Sequence, residues 1–381
     1  MKLRILADDL TGALDTAAAF AGEVPVWIDQ PGHDGDGISV VATATRDVER
    51  GELERLLQPS IAWLRAADVA FKKVDSLLRG NTVAECATVG RDASRIVFAP
   101  AYPKQGRITV NGHALRRQPG SDGEEAIVDA PLEALLREEL ARVPSRRVRE
   151  ARVPKARVPD VWVPDVWVPD VRDDAALDAI AARATHASSR GWLWCGSAGL
   201  AHALARALGV AAGGSDAAPT AEVVSPRQGV AGNAVLASAT RNPVLQRQWS
   251  VLASTLRAAA GAAFEGDAKA FRACGIAGTH LAPAEPMPPL AAAADLAART
   301  QALVMRAQKP ALLVVIGGDT LLALCRAAGT HSLLAGASPR EGWGMAKLVG
   351  GRWDGVTCLS RSGAFGGEDD LVELLRPWLV R

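Results

Sequence analysis

The chain has 381 residues, of which 49% are hydrophobic and 22% charged, with a formal net charge of +1. That length suits two domains, and the composition supports a sizeable core and excludes global disorder. Near-neutral charge argues against a dedicated nucleic-acid binder, and no apolar run approaches a membrane span. Five scattered cysteines (Cys86, Cys195, Cys274, Cys325, Cys358) include no CxxC pair and no zinc-finger spacing with His. They read as small buried apolar residues in a reducing compartment. Lys2 and Arg4 precede an apolar run that Asp8 cuts too short for a signal peptide. A soluble, cytoplasmic protein is the expectation.

The chain is organised around ILADDLTGALDTAAAF, residues 5–20. Leu3, Ile5 and Leu6 suit a first buried strand, Thr11 and Gly12 a tight turn, and residues 13–20 a helix. Strand, acidic loop and helix begin a βαβ-type unit, whose ligands bind beyond the carboxyl ends of the strands. Asp8 and Asp9 stand at that edge, as a catalytic pair or simply as helix caps. Short strands follow at 24–28 and 38–44, the second delivering Thr45, Arg46 and Asp47. Arg46 suits a carboxylate or phosphate. A helix is expected over 52–67. The stretch VAFKKVDSLLRGN, 69–81, then places Lys72, Lys73, Asp75, Ser76, Arg79 and Asn81 beside an apolar strand. Its cations suit an anionic substrate, and its Asp suits a hydroxyl as acceptor or base.

Helix character resumes at 82–89 and a strand at 95–99. Pro100, Pro103 and Gly106 set a loop up to His113 that carries Lys104, Gln105 and Arg107, a plausible wall of an anion site. A helix at 132–143 runs into a five-residue repeat, ARVPK, ARVPD, VWVPD, VWVPD. Its prolines point to an extended edge segment or a protruding loop, and a repeat this short reads as slippage of the coding sequence with no function. With Trp162 and Trp167, the 158–168 edge could form an interface in a homo-oligomer. A helix at 173–187 and a strand at 192–195 lead to GSAGLA, 196–201, and a further helix.

GVAAGGSDAAPT, 209–220, is the best linker. The expected domains are 1–208 and 223–381, joined by 209–222. The second half reads as another α/β series. A strand near 234–237 ends in Ser238, with Thr240 and Arg241 beyond it. An Ala-rich helix spans 290–307. ALLVVI, 311–316, is a buried strand followed at once by Gly317, Gly318, Asp319 and Thr320 and a helix from 321. Two glycines at a helix N-terminus suit either a phosphate cradle or a good cap. A strand at 356–359 leads to SRSGAFGGEDDL and a last helix from Asp370. The chain has neither GxxxxGK[ST] nor GxGxxG, so a nucleotide site would lie outside the commonest classes. An oxidoreductase using a nicotinamide cofactor is disfavoured for the same reason.

Taken together, ILADDLTGALD, the Thr45-Arg46 pair, FKKVDSLLRGN, FAPAYPKQGR, CGSAGLA, VVIGGDT and SRSGAFGGEDDL resemble the four-carbon acid sugar kinase family, in the family's order. The resemblance implies an α/β fold of two domains, each a largely parallel sheet flanked by helices, with the active site in the interdomain cleft. The N-terminal domain would bind a sugar acid and the C-terminal domain ATP with Mg2+. The implied reaction is phosphorylation of the 4-hydroxyl of D-threonate, D-erythronate or a 3-oxo-tetronate. On the substrate side it implies Asp8, Arg46, Lys72, Lys73, Val74, Asp75 and Ser76, with Arg79 and Arg107 added, and Asp8 or Asp75 as catalytic base. On the nucleotide side it implies Ser238, Gly317, Gly318, Asp319, Thr320, Ser362, Gly363, Ala364 and Gly366. Few direct protein ligands to the metal are expected. Arg361 stands where the family usually has Lys, the SGAFGG loop and the 340–348 stretch differ, and the repeat looks inserted. A sensor of a sugar acid or nucleotide is the non-catalytic alternative; the paired acids Asp8 and Asp75 favour an enzyme.

Overall fold

The computed structural model describes residues 1–32, 35–118, 123–143, 164–212, 233–267, 269–337 and 342–379. It divides into two units, Met1–Ala212 and Gly213–Arg381. Residues 213–222 of the expected linker lie outside the described residues, as do the repeat up to Val163, including Trp162, and the start of the 340–348 stretch.

The first unit is built on a sheet of β1 (Lys2–Ala7), β2 (Val24–Ile28), β3 (Gly37–Ala42), β4 (Val69–Lys73), β5 (Arg95–Ala99), β9 (Asp165–Trp167) and β10 (Trp192–Gly196). The strand order is β2-β3-β1-β4-β10-β5-β9, and every neighbouring pair is parallel. Leu3, Ile5 and Leu6 are fully buried, as a central parallel strand covered on both faces requires. Helices Leu10–Ala17, Leu53–Arg65, Thr82–Gly90, Leu132–Arg142, Asp174–Ala181 and Ala198–Ala207 accompany it. In Leu53–Arg65 the stripe Leu53, Leu57, Ile61 and Leu64 is buried, with Glu54, Arg55 and Arg65 on the wet side. Each such side chain contributes about 1.5–3 kcal/mol on burial.

The chain passes from β1 to β2 and β3 on one side, then crosses to β4 on the other. The sheet therefore reverses its winding between β1 and β4, where ligands of open α/β sheets bind. The 100–113 loop proved more regular than its prolines suggested. A short 3-10 turn, Pro103–Gln105, opens a hairpin of β6 (Arg107–Val110) and β7 (His113–Arg117), to which β8 (Glu124–Ala126) is added. Asn111 (φ +49°) and Gly112 (φ +75°) supply the left-handed pair that a two-residue hairpin turn needs. The junction of the last two repeat units forms β9 at the sheet edge, and Asp170 of the last unit accepts from both Asn111 and Gly112 N–H.

The second unit contains β11 (Ala234–Ser238), β12 (Glu265–Gly266), β13 (Ala270–Ala273), β14 (Ile276–His280), β15 (Leu312–Ile316), β16 (Ser332–Gly336), β17 (Gly344–Val349) and β18 (Thr357–Arg361). Within this unit the order is β12-β13-β14-β11-β15-β18-β17-β16. The central β14, β11, β15 and β18 run parallel and the flanking strands antiparallel. The antiparallel edges, drawn from 265–280 and 332–349, carry no expected element and are findings of the structure. Helices Pro243–Ala260, Pro289–Arg306, Gly318–Ala328 and Asp370–Leu379 complete the unit. The helix after β15 begins at Gly318, three residues before the sequence pattern suggested. Cys86, Cys195, Cys325 and Cys358 are buried free thiols; Cys274, in a tight turn at φ +51°, is partly exposed. No helix among the described residues is long and apolar enough to cross a membrane.

Candidate active site

At the C-terminal edge of β1, β3 and β4 the chain gathers charges of both signs. Asp8 follows β1 and is 1% exposed. Arg46, delivered by the turn after β3, holds both of its oxygens: Nε to Oδ2 at 2.7 Å and Nη2 to Oδ1 at 3.2 Å. The same Nη2 reaches Asp9 Oδ1 at 2.9 Å. Asp9 caps the helix Leu10–Ala17, its Oδ1 accepting from Gly12 N–H at 3.1 Å. The capping role and the polar cluster are thus one arrangement rather than alternatives. A Cβ at Gly12 would sit 2.4 Å from Asp9 Oδ1 and 2.8 Å from Lys73 Nζ, so only glycine lets both approach the helix end.

After β4 the backbone turns back toward Arg46. Gly80, at φ +63°, lies so close that a Cβ would fall 2.2 Å from the Arg46 carbonyl oxygen. Asp75 is clamped by Arg79 through Nε (2.7 Å), Nη2 (2.8 Å) and the backbone N–H (3.0 Å). Arg107, from the β6 hairpin, donates to Ser76 Oγ at 3.1 Å and to Gln105 Oε1, while its buried Nε finds no partner among the described residues. Ala44 and Leu78 adopt positive φ in these loops, +55° and +56°. Such backbone costs about 1–3 kcal/mol each and is concentrated at functional sites.

Lys72 and Val74 turn away from this edge. Val74 packs in the core and its N–H donates to the Gly196 carbonyl at 2.8 Å. Lys72 is fully buried, paired with Glu85 Oε2 at 2.8 Å and donating to the Lys73 carbonyl at 2.9 Å. Lys73 is also buried, yet its ammonium makes no ion pair or hydrogen bond among the described residues. Burial would raise the Asp8 carboxyl, but Lys72, Arg46 and Lys73 together hold it below its ordinary value. Asp9 moves the other way: burial and then Asp8 push it up, against Arg46 and Lys73. At Asp75, burial is overcome by the hydrogen bonds and charge of Arg79, which bring it down to about 2. Burial disfavours the Lys72 ammonium, yet Glu85 and Asp8 keep it above an ordinary lysine.

In the second unit, the loops after β11, β14, β15 and β18 share one sheet edge. Ser238 is fully buried and joins two of them, its Oγ donating to the Ile316 carbonyl at 2.8 Å and accepting from Thr240 N–H at 3.2 Å. Gly317, at φ +108°, precedes the helix Gly318–Ala328, whose start has no side-chain cap from Gly317. Asp319 is exposed, and Thr320 Oγ1 accepts from Ala239 N–H at 3.1 Å. In the last loop Ser362 is half-buried, Ala364 and Gly366 are exposed, and Gly363 lies where a Cβ would meet Thr240 Cγ2 at 2.6 Å.

This loop is held from inside. Arg361 is 1% exposed and donates to the carbonyls of Ser362 (3.1 Å) and Phe365 and to Gln248 Oε1. It also pairs with Asp370 at 3.2 Å and lies over the Trp343 ring at 4.9 Å. Gln248 Nε2 donates to the carbonyls of Phe365 (3.0 Å) and Gly367 (2.7 Å). Arg361 therefore acts on the loop's shape. Neither Glu85 nor Gln248 was expected in a site: Glu85 lies on the helix that follows the 69–81 stretch, and Gln248 on a helix 113 residues before Arg361.

The family described as Sugar-binding N-terminal domain matches residues 3–204. A D-threonate kinase of Cupriavidus necator is 34% identical over 120 residues, 29% of this chain and 29% of that protein. The D-threonate kinases of Salmonella typhimurium and Bordetella bronchiseptica are 30% and 33% identical over 125 and 124 residues. The matches thus span less than a third of these curated relatives' length. Among solved structures, a Salmonella typhimurium LT2 protein superposes with a TM-score of 0.64 at 17% identity, covering 98% of this chain and 99% of its own. A Haemophilus influenzae protein of the DUF1537 family gives 0.60 at 16%, covering 98% of each chain. Both likenesses show the fold.

Proposed function

The chain belongs to the sugar-binding N-terminal domain family, and from that premise we propose that it is an ATP-dependent kinase acting on the 4-hydroxyl of a four-carbon sugar acid, with D-threonate the first candidate. One observation carries the substrate class. Lys73 is a buried ammonium that makes no ion pair or hydrogen bond among the described residues, feeling Asp8, Asp9 and Asp15 only at longer range, beside the directly paired Asp8–Arg46, Lys72–Glu85 and Asp75–Arg79. A buried unpaired charge is costly, and an anionic ligand relieves the cost. The buried open Nε of Arg107 adds a donor from the hairpin side.

In this reading Lys73, Arg79 and Arg107 hold the substrate carboxylate, while Ser76 and the Asp8–Arg46 pair orient its hydroxyls. Lys72 and Val74 contribute from beneath, by charge and by fixing the end of β4. On the nucleotide side, the helix start at Gly317, Gly318, Asp319 and Thr320, which has no side-chain cap from Gly317, fits phosphate oxygens at its positive end. The loop at Ser362, Gly363, Ala364 and Gly366 supplies a second backbone wall, with Ser238 as a buried tie between strands. ATP supplies the phosphoryl group, and Mg2+ neutralises its phosphates with few direct protein ligands. The reading places both substrates where ATP is available, and we propose a cytoplasmic enzyme.

The test is ADP release with Mg-ATP across D- and L-threonate, D- and L-erythronate and the 3-oxo-tetronates. Turnover on D-threonate is expected. Turnover on another member reassigns the substrate, and silence across the panel from folded, ATP-binding protein refutes the kinase.

A further inference from the structure

We propose that Asp9, rather than Asp8 or Asp75, is the catalytic base, its Oδ2 taking the proton from the substrate hydroxyl; this role rests on the kinase reading above. The three aspartates differ in what their oxygens already do. Both oxygens of Asp8 are engaged by Arg46, and its side chain is 1% exposed. Both oxygens of Asp75 are engaged by Arg79, one of them twice. Asp9 is bound on one side only. Its Oδ1 accepts from Gly12 N–H and Arg46 Nη2, whereas no hydrogen bond reaches Oδ2 among the described residues, and the side chain is 19% exposed. A general base needs a free lone pair within reach of the reacting proton.

The surroundings favour the same choice. The charged groups acting on Asp9 are Asp8 beside it, Asp15 on its own helix, Arg46 from the β3 turn, and Lys73 and Arg79 from the β4 segment. Burial and the Asp8 charge make Asp9 the stronger proton acceptor, while Asp8 and Asp75 are held as weakly basic anions. Lys73 Nζ and Asp9 Oδ1 flank the same spot, 2.8 and 2.4 Å from where a Cβ at Gly12 would stand. The substrate carboxylate on Lys73 would thus be placed within one small molecule's length of the base.

The step balances as follows. The hydroxyl proton passes to Asp9 Oδ2 while the hydroxyl oxygen forms its bond to the γ-phosphorus. The bond from that phosphorus to the β,γ-bridging oxygen breaks, and its electron pair leaves with ADP. The proton on Asp9 returns to solvent after product departs.

The N-cap geometry makes the test clean. Asn caps a helix as well as Asp, so Asp9→Asn keeps the bond from Gly12 N–H and the fold, and removes the basic oxygen. Thermal melting checks that the variant is folded as the wild type is. Rates of ADP formation from D-threonate and Mg-ATP are then measured from pH 5 to 9 for wild type, Asp9→Asn and Asp8→Asn. Asp9→Asn is expected to lose about 100-fold or more in kcat, with KM for the acid within about threefold. The acidic limb of the wild-type kcat profile, lying above the ordinary aspartate range, is expected to vanish in it. Asp8→Asn, which unbalances Arg46, is expected to raise KM and keep the limb. Asp9→Asn with near-normal kcat, or with the limb intact, overturns the role alone. No turnover by the wild type on D-threonate or any other acid of the panel refutes the kinase and the role together.

Discussion

Glu85→Ala tests the buried support of the site. Lys72 and Glu85 side chains are 1% and 0% exposed and meet at 2.8 Å. Truncating Glu85 leaves the Lys72 ammonium in the interior with the Lys73 carbonyl and the charge of Asp8. Removing one partner of a buried pair costs about 3–5 kcal/mol, and the partners left to Lys72 place this case near 3. For a unit of this size that corresponds to a fall in Tm of about 6–12 °C. Burial pushes the Glu85 carboxyl up, but Lys72 at 2.8 Å, itself held above an ordinary lysine, favours the ionised pair at neutral pH. A raised lysine contributes stability below its unfolded value, about 10.4, and loses it only as pH rises through the folded value. The Lys72 part of the penalty should therefore be flat between pH 6 and 9. Urea unfolding followed by the fluorescence of the buried Trp194 reads it out. The double variant Lys72→Met/Glu85→Leu should recover most of the loss, because an apolar pair avoids the buried charge. A single-variant cost under about 1 kcal/mol, or a double variant as unstable as the single, would refute the argument.

Asp75, brought down to about 2, contributes stability above its unfolded value of 3.8 and loses it as pH falls through about 2. With the Arg79 side chain 61% exposed, the advantage of wild type over Asp75→Asn should shrink by about 1–2 kcal/mol between pH 5 and 2, read by urea unfolding. Gly12→Ala should leave stability within about 1 kcal/mol, since Ala suits a helix, yet lower kcat/KM about tenfold or more by displacing Asp9 and Lys73. Normal activity would show that their placement does not matter. Gln248→Ala removes both bonds to the Phe365 and Gly367 carbonyls and the acceptor for Arg361. It should weaken ATP about tenfold by calorimetry, with D-threonate binding unchanged. Equal weakening of both ligands would point to general loosening instead.

Much of this was legible in the sequence because buried parallel strands announce themselves as short apolar runs. β1, β5 and β15 did so, and each delivers polar residues to the C-terminal edge of its own unit's sheet. Two kinds of feature were not legible. The Asn111-Gly112 hairpin was masked by Pro100 and Pro103, although an Asn-Gly pair is itself a strong turn signal. The antiparallel edges of the second unit come from stretches such as AFRACGIAGTH, whose small and polar residues give little alternation. Within the site, position at the ends of strands singled out Asp8, Arg46 and Asp75, and the family resemblance grouped them. It could not say which oxygens the arginines occupy, nor that Lys72 turns inward to Glu85. Those depend on side-chain direction at the strand ends, where Lys72 and Lys73 leave opposite faces of β4. Arg361 was read as a departure bearing on the nucleotide; its burial among loop carbonyls makes it part of the loop's frame.

The most direct test of the kinase is phosphorus NMR of the product formed from Mg-ATP and D-threonate. The account predicts a new phosphomonoester resonance split into a triplet by the two protons of C4, growing in step with ADP. A doublet would place the phosphate on a secondary hydroxyl and contradict the assigned position. No new ester with D-threonate or any other acid of the panel, from folded protein that binds ATP, would contradict the function itself.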